Sequence, residues 1–403
     1  MANISHLPNE VLELIFQSIL SENTRRYYDI ETQGKKSAES IGKLRLVCRR
    51  WSSLLTDRHL HQTLVISRGS RAMEFINHQK ASLRLPFSEV RPKCQVLEIH
   101  QFWTFGAPLD KDWDMVTPAL LEALIELFND TIVELELGFI DNLSLPDSTI
   151  HAIGRIKNLR TLRLSYERNE TFDSPNIEDD EIGNYDPDFF SSLLSAAQGL
   201  KCLIFYSFDP FYAEDISAHD LARFQLSNIK HLVADAHSSA ELVLSLAVAL
   251  KPTLTMVSIL STYHIDTAYV SLILKTLEDT LQGLHVDTKV FNNVSHLNFS
   301  SLRLLHIDSS KHGLPDHSKL AVFSHAPIEV LVLSSHYEPP RQQPDQTFLQ
   351  NIFENFRSLK RLVFYGMDSK FSLPEDCFRL CQDHQVECLY RDNSSLSELM
   401  VSR

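Results

Sequence analysis

Two short stretches carry the same pair of chemical groups. "HVD" sets His285 two residues before Asp287, and "HID" sets His306 two residues before Asp308. Residues two apart on a strand share one face, so each stretch would place an imidazole beside a carboxylate. If the strands are neighbours, about 4.8 Å apart, the four groups form one cluster. Such a cluster could recognise a basic or polar segment and respond to pH near the imidazole range. For any single residue a solvated face without a ligand is the favoured alternative. A metal ion is the least favoured, because its ligands must converge in a way the sequence does not show. The second candidate is "CFRLCQDHQVEC", which holds Cys377, Cys381, His384 and Cys388. On a helix the first three share a face. Zinc accepts such ligands, but structural sites more often use a tight C-x2-C turn. A buried apolar helix face is the favoured reading.

Other chemistries lose their usual supports. There are eleven glycines, and no two lie within five residues of each other. That removes GxGxxG and the P-loop, where glycines let the backbone approach phosphates. No GxSxG elbow and no HExxH occurs. No catalytic residue and no cofactor is expected, and the chain is not read as an enzyme. A formal charge of −14 argues against broad phosphate-backbone binding, so no nucleic acid is expected. Six scattered cysteines are unlike a disulfide framework and indicate a reducing compartment. The N-terminus lacks a basic n-region, and the longest apolar run, "LVLSLAVAL", is short of a membrane span. A cytoplasmic or nuclear protein with no membrane partner is the expectation.

What would position the candidate groups is a repeat. The template L-x-x-L-x-L recurs as "IVELEL" from Ile132, "LRTLRL" from Leu159, "LKCLIF" from Leu200 and "IKHLVA" from Ile229. It continues as "LTMVSI" from Leu254, "LQGLHV" from Leu281, "LRLLHI" from Leu302, "IEVLVL" from Ile328 and "LKRLVF" from Leu359. Weaker copies start at His61, Cys94 and Val386. From Leu200 onward the copies begin 21 to 31 residues apart, in or near the spacing of leucine-rich repeats. Helical patterns lie between them, such as "PALLEALIELF" and "AYVSLILKTLED". Strand and helix alternating over short links imply parallel strands with a returning helix. Such repeats cannot bury their faces alone, so they stack. The expected fold class is α/β: a short helical unit over residues 1–60, then a curved repeat solenoid over 61–403 with a parallel sheet on its concave face.

In that frame the residues flanking the second leucine line the concave face: Glu134, Glu136, Arg163, Tyr206, His231, Asp235, His285, Asp287, His306, Asp308, Arg361, Tyr365 and Tyr390. The copies are degenerate. The Asn or Cys usual after the strand is replaced, for example by Ile140, Glu167 and Phe208. An irregular array is expected, with some repeats lacking a regular helix. The acidic stretch over residues 167–188 reads as an exposed loop, as does "PPRQQP".

Before residue 60 the pattern differs. Pro8 suits a first helical turn, and Val11, Leu12, Ile15, Phe16, Ile19 and Leu20 form one apolar stripe. A polar insert over residues 21–40 precedes a second helix at about Gly42–Leu55. Two short helices bury little surface, so the unit must lean on the chain or on a partner. "LPNEVLELIF" followed by "LRLVCRRW" closely resembles an F-box, whose pattern is Leu-Pro-x-Glu, an apolar helix and a segment ending in Val-Cys-x-x-Trp. Leu7, Pro8, Glu10, Val47, Cys48 and Trp51 carry the match. With the repeats, the whole chain resembles an F-box/leucine-rich-repeat protein, fungal-like in its degeneracy. The insert over 21–40 is longer and more polar than the family's usual link.

The resemblance implies a function. F-box proteins are substrate receptors of SCF ubiquitin ligases (Skp–cullin–F-box), docking a Skp-type adaptor and, through it, cullin and RING subunits. By carry-over, Leu7, Pro8, Val11, Leu12 and Ile15 face the adaptor, and Leu46, Val47 and Trp51 support or complete that surface. Trp51 could equally be core. An unknown protein substrate would meet the concave face at Arg163, Tyr206, His231, Asp235, His285, Asp287, His306, Asp308, Arg361 and Tyr365. The alternative is an F-box scaffold that binds proteins without a role in ubiquitin transfer.

Overall fold

The computed structural model describes residues 7–21, 42–44, 46–58, 61–83, 93–104, 113–140, 143–167, 187–208, 228–235, 238–260, 267–308, 320–334, 346–365 and 373–391. The polar insert over 21–40 and the acidic stretch over 167–188 lie, apart from their end residues, outside these, and so does "PPRQQP". The chain divides into two compact units, residues 1–199 and 200–403.

The first unit opens with two helices, α1 (Asn9–Ser21) and α2 (Arg49–Arg58). The amide of Leu12 donates to the carbonyl of Pro8, so the α1 ladder starts at the proline. Glu10 in the first turn complements the helix dipole. Leu12 and Phe16, one turn apart, meet Trp51, Leu54 and Leu55 of α2 in a small core. Phe16 and Trp51 pack edge to face with ring centroids 4.9 Å apart. Arg50 ties the entry of α1 to α2 by donating to Asn9 Oδ1 and to the Leu7 carbonyl, the latter at 2.6 Å.

The repeats of this unit follow. Strands β1 (Thr63–Ile66), β2 (Val96–Phe102), β3 (Glu134–Ile140) and β4 (Thr161–Glu167) pair in parallel and in chain order. Leu64, Leu97, Leu135 and Leu162 stand in one row of the register. Helices α3 (Gly69–Leu83), α4 (Pro118–Phe128), α5 (Asp147–Gly154) and α6 (Pro187–Ala196) follow the four strands, each touching the next helix. The leucine rows face them: Phe139 of β3 packs on Phe189 of α6 at 6.1 Å. The entry to α3 is tight. The Gly69 amide donates to the Asp114 carbonyl, and Asp114 Oδ1 accepts from the Ser70 amide at 2.6 Å. A Cβ on Gly69 would sit 2.4 Å from the Met115 carbonyl oxygen, which is backbone and cannot rotate away. Gly69→Ala is therefore expected to destabilise this unit by roughly 1–3 kcal/mol, the usual range for overpacking, read as a lower melting temperature.

The second unit carries β5 (Cys202–Tyr206), β6 (His231–Asp235), β7 (Met256–Leu260), β8 (Gly283–Asp287), β9 (Leu304–Asp308), β10 (Val330–Ser334), β11 (Arg361–Tyr365) and β12 (Glu387–Arg391), all parallel and in chain order. Helix α7 (Ala240–Leu250) follows β6 and α8 (Thr267–Leu277) follows β7; α10 (Gln346–Asn355) follows β10 and α11 (Glu375–Asp383) follows β11. The shortest spacing, 21 residues from Leu281 to Leu302, leaves no room for a long helix. Only a 3-10 turn (Thr288–Val290) and the four-residue α9 (Phe291–Val294) follow β8. A 3-10 turn (Ala321–Phe323) lies between β9 and β10. Phenylalanines pack together behind these strands: Phe323 packs on Phe291 and on Phe299 at 5.3 and 5.7 Å. Just before each of β5 to β10 one carbonyl accepts from two successive amides of the next repeat. Gln282, for example, accepts from Arg303 and Leu304 at 2.9 Å each.

The last repeat corrects the sequence reading. Leu362 pairs with Cys388 and Phe364 with Tyr390, so the copy counted from Val386 is one residue out of register. Gln385, in a left-handed conformation with φ 57°, takes up the slip. Because alternation has period two, the slip exchanges faces. Tyr390 lies on the helix side, stacked on Phe364, and not beside the far-face groups where it was expected. No helix among the described residues is long and apolar enough to cross a membrane.

Candidate functional sites

The helical unit sorts its apolar residues into two sets. Leu12 and Trp51 are buried in its own core, with Leu7 packed against it. Either reaches a partner only through the residues it positions. The exposed set is Pro8, Val11, Leu14, Leu46 and Val47, and Ile15 is half-buried. Leu46 is 85% exposed, Leu14 66%, Val47 57% and Val11 38%. Leu14 was not in the sequence-derived set; its signal was an apolar residue off the buried stripe. Leu46 and Val47 sit in the turn before α2. Their amides donate to the Lys43 and Leu44 carbonyls, so the turn has internal hydrogen bonds. So many bare aliphatic side chains on so small a core suit an apolar partner.

In the second unit the face of the sheet turned from the helices carries alternate residues of every strand. It forms separate apolar clusters: Met256, Leu304, Val330, Val332 and Val363 in one, Ile204, Val233 and Leu260 in another. Between them runs a polar track. The register sets His285 beside His306 and Asp287 beside Asp308, as the two His-x-Asp stretches required. The imidazole rings stack at 3.7 Å, within 5° of parallel. His285 Nε2 lies 2.8 Å from Asp308 Oδ2, and His306 Nε2 lies 3.6 Å from Asp308 Oδ1. Ser334 Oγ is 2.9 Å from His306 Nε2 and donates to Asp308 Oδ1. Tyr365 meets His306 edge on at 5.6 Å. The expectation of a solvated face fails here. His285 is 8% exposed, His306 and Asp308 5% each, and Asp287 1%. Ser258 and Ser334 were missed in the sequence; they stand in the same register rows, a signal visible only once strand pairing is known.

The accessible residues of this track lie at its ends. His231 is half-buried on β6, its Nε2 2.9 Å from Ser258 Oγ. Burial, and then the nearby His285, push its pKa down from 6.5 to about 4. Asp235 Oδ2 accepts from the Ser207 amide at 2.9 Å and Oδ1 from Ser238 Oγ at 2.8 Å, which occupies it structurally. Tyr206 packs on the Ile204 cluster. Arg361 faces Glu387 at 3.5 Å. For His231 the folded state disfavours the proton, so its stabilising contribution is whole above about 6.5 and is lost as pH falls through about 4. His231→Gln is expected to flatten the fall in melting temperature across that window. An unchanged slope against the wild type would remove His231 from the acid response.

The first unit carries a different far face. Glu98, Glu136 and Arg163 stand in one register row, and Glu134 bonds Arg163 Nε. Arg163 Nη1 is 3.9 Å from Glu136, and His100 is 3.7 Å from Glu98. Burial raises the carboxyls of Glu134 and Glu136 above the usual range; Glu98 adds to it, and Arg163 opposes it. Arg163 is thus engaged by acidic neighbours within its own sheet. Near the C-terminus, Cys377 and Cys381 are buried on α11, as the apolar-face reading expected. His384 stacks on Phe353 at 4.5 Å. The register slip turns Cys388 toward α11, where its Sγ lies 2.9 Å from Cys381 Sγ.

Comparison with known proteins bears on one end of the chain. None of the curated proteins compared with the sequence matches it. Residues 4–67 match the F-box-like family, a span that covers both N-terminal helices and β1. The chain carries an F-box-like domain at residues 4–67, followed by parallel strand repeats.

Proposed function

We propose that this chain is the substrate-recognition subunit of an SCF-type ubiquitin ligase. F-box domains as a class bind Skp-type adaptors, and the observation that carries the reading is the exposure of the aliphatic side chains of Val11, Leu14, Leu46 and Val47 within the matched residues. On this reading Leu7, Pro8, Val11, Ile15, Leu46 and Val47 meet the adaptor, with Leu14 beside them. Leu12 and Trp51 hold them in place from behind. Cullin and RING subunits join through the adaptor. The leucine-rich repeats hold a protein substrate through the half-exposed Tyr206, His231, Arg361 and Tyr365 and their neighbours. The chain catalyses nothing itself; it raises the effective concentration of a substrate lysine near the charged ubiquitin enzyme. On this reading it works in the cytoplasm or nucleus.

The test is co-expression of the full chain with a Skp-type adaptor, cullin and RING subunit. Stable capture of the adaptor, and ubiquitin on a co-purifying protein only when the chain is present, is the expected result. A folded chain that captures no adaptor overturns the proposal. Capture without ubiquitin on any bound protein replaces it with a scaffold.

A further inference from the structure

The His285, His306 and Asp308 cluster has features that the proposed function does not use. Its three donor groups lie within 4.8 Å of one another, and all three residues are buried. Ligands of a tetrahedral zinc ion, with bonds of about 2.0–2.1 Å, stand about 3.3 Å apart. The contacts of the two imidazole nitrogens with Asp308, at 2.8 and 3.6 Å, straddle that separation. The parallel rings must open by rotation about χ2, a broad and soft torsion in histidine. Each ligand sits on a strand core, and Ser334 Oγ already holds Asp308 Oδ1 from β10, as an outer-shell donor would.

Charge points the same way. Asp287 stands beside Asp308 in the register and is 1% exposed. Its Oδ1 accepts from the Lys289 amide at 2.8 Å, and its Oδ2 is buried with no hydrogen-bond partner among the described residues. A cation bound here would lie against two adjacent buried carboxylates, which favours its positive charge. On this face β7 to β10 contribute Met256, Ser258, Leu260, Gly283, Leu304, Val330, Val332 and Ser334 besides the cluster, with no Lys or Arg among them. Two stacked imidazolium ions would repel each other at 3.7 Å. A dication balances both carboxylates while leaving the rings neutral. Two imidazoles with carboxylate oxygens suit zinc and its neighbours, not the all-oxygen shells of calcium or magnesium.

We propose that His285, His306 and Asp308 bind one divalent transition-metal ion of zinc's kind, with Asp287 balancing its charge. The ion clamps β8 to β9 from the face opposite the helices; behind it, β8 is followed by a 3-10 turn and the four-residue α9. The inference stands apart from the adaptor reading.

The test uses the full chain stripped of metal by a chelator and titrated with zinc chloride by calorimetry, with cobalt chloride as the visible-absorption probe. One equivalent of zinc per chain is expected. His285→Gln and His306→Gln are each expected to weaken binding at least about 100-fold, while adaptor capture is unchanged. A variant with Cys377, Cys381 and Cys388 all changed to Ser keeps the wild-type affinity. If the histidine variants do not fold, the cobalt spectrum of the wild type decides: tetrahedral bands without thiolate charge transfer support the site. No stoichiometric uptake by the wild type, thiolate bands, or binding that survives both histidine changes overturns the proposal.

Discussion

Changing Leu46 and Val47 together to aspartate is expected to abolish capture of a Skp-type adaptor while leaving the melting of the chain in place. Both side chains are mostly in solvent, so the folded chain gives up little packing when they change. A partner that covers them gains about 1.5–3 kcal/mol for each fully buried aliphatic side chain. The aspartates remove that gain and add two charges that the interface must desolvate. The combined loss is at least about 2.7 kcal/mol, or 100-fold in affinity. Val11→Ala, at a less exposed position, is expected to cost less. The measurement is calorimetry of adaptor binding beside a thermal melt. Unchanged affinity in the double variant would place the docking surface elsewhere and remove the main support for the ligase reading.

The second large effect is inside the same unit. Trp51→Ala leaves a cavity where Phe16, Leu12, Leu54 and Leu55 converge. Large-to-small changes at buried aromatics cost about 3–5 kcal/mol. That approaches the whole stability of a small two-helix assembly. The expected result is loss of amide-exchange protection over residues 7–21 and 46–58, with the strands of the second unit still protected. Adaptor in excess should restore part of it, because a ligand that binds only the folded form stabilises by mass action. Trp51→Phe, which keeps a ring against Phe16, should retain most of the protection. Protection unchanged in Trp51→Ala would mean that Phe16 and Leu55 suffice as a core.

Much of this architecture was legible residue by residue. The leucine template marks residues that are buried in the fold, such as Leu281, Leu284 and Val286, because three apolar positions per repeat leave one way to face the helices. The pairing of His285 with His306 followed from two identical spacings in adjacent repeats. The final repeat misled because "VECLYR" fits the template in two registers, and only the left-handed Gln385 decides between them. Trp51 was ambiguous for a related reason: an aromatic residue on an amphipathic helix suits a core and an interface alike.

The division between sequence and tertiary structure is therefore physical. Sequence alone determined what is periodic or local: one parallel strand per repeat, an array with some irregular repeats, and an N-terminal helical pair with more apolar surface than it can bury. Tertiary structure alone decided what depends on the packing of distant segments. It sent Leu12 and Trp51 inward and left Leu14, Leu46 and Val47 outside. It also took the His/Asp groups out of water, although their residue types would suit a solvated face. Exposure is a property of whatever lies across a side chain, and period-two alternation assigns a face without saying whether that face is covered.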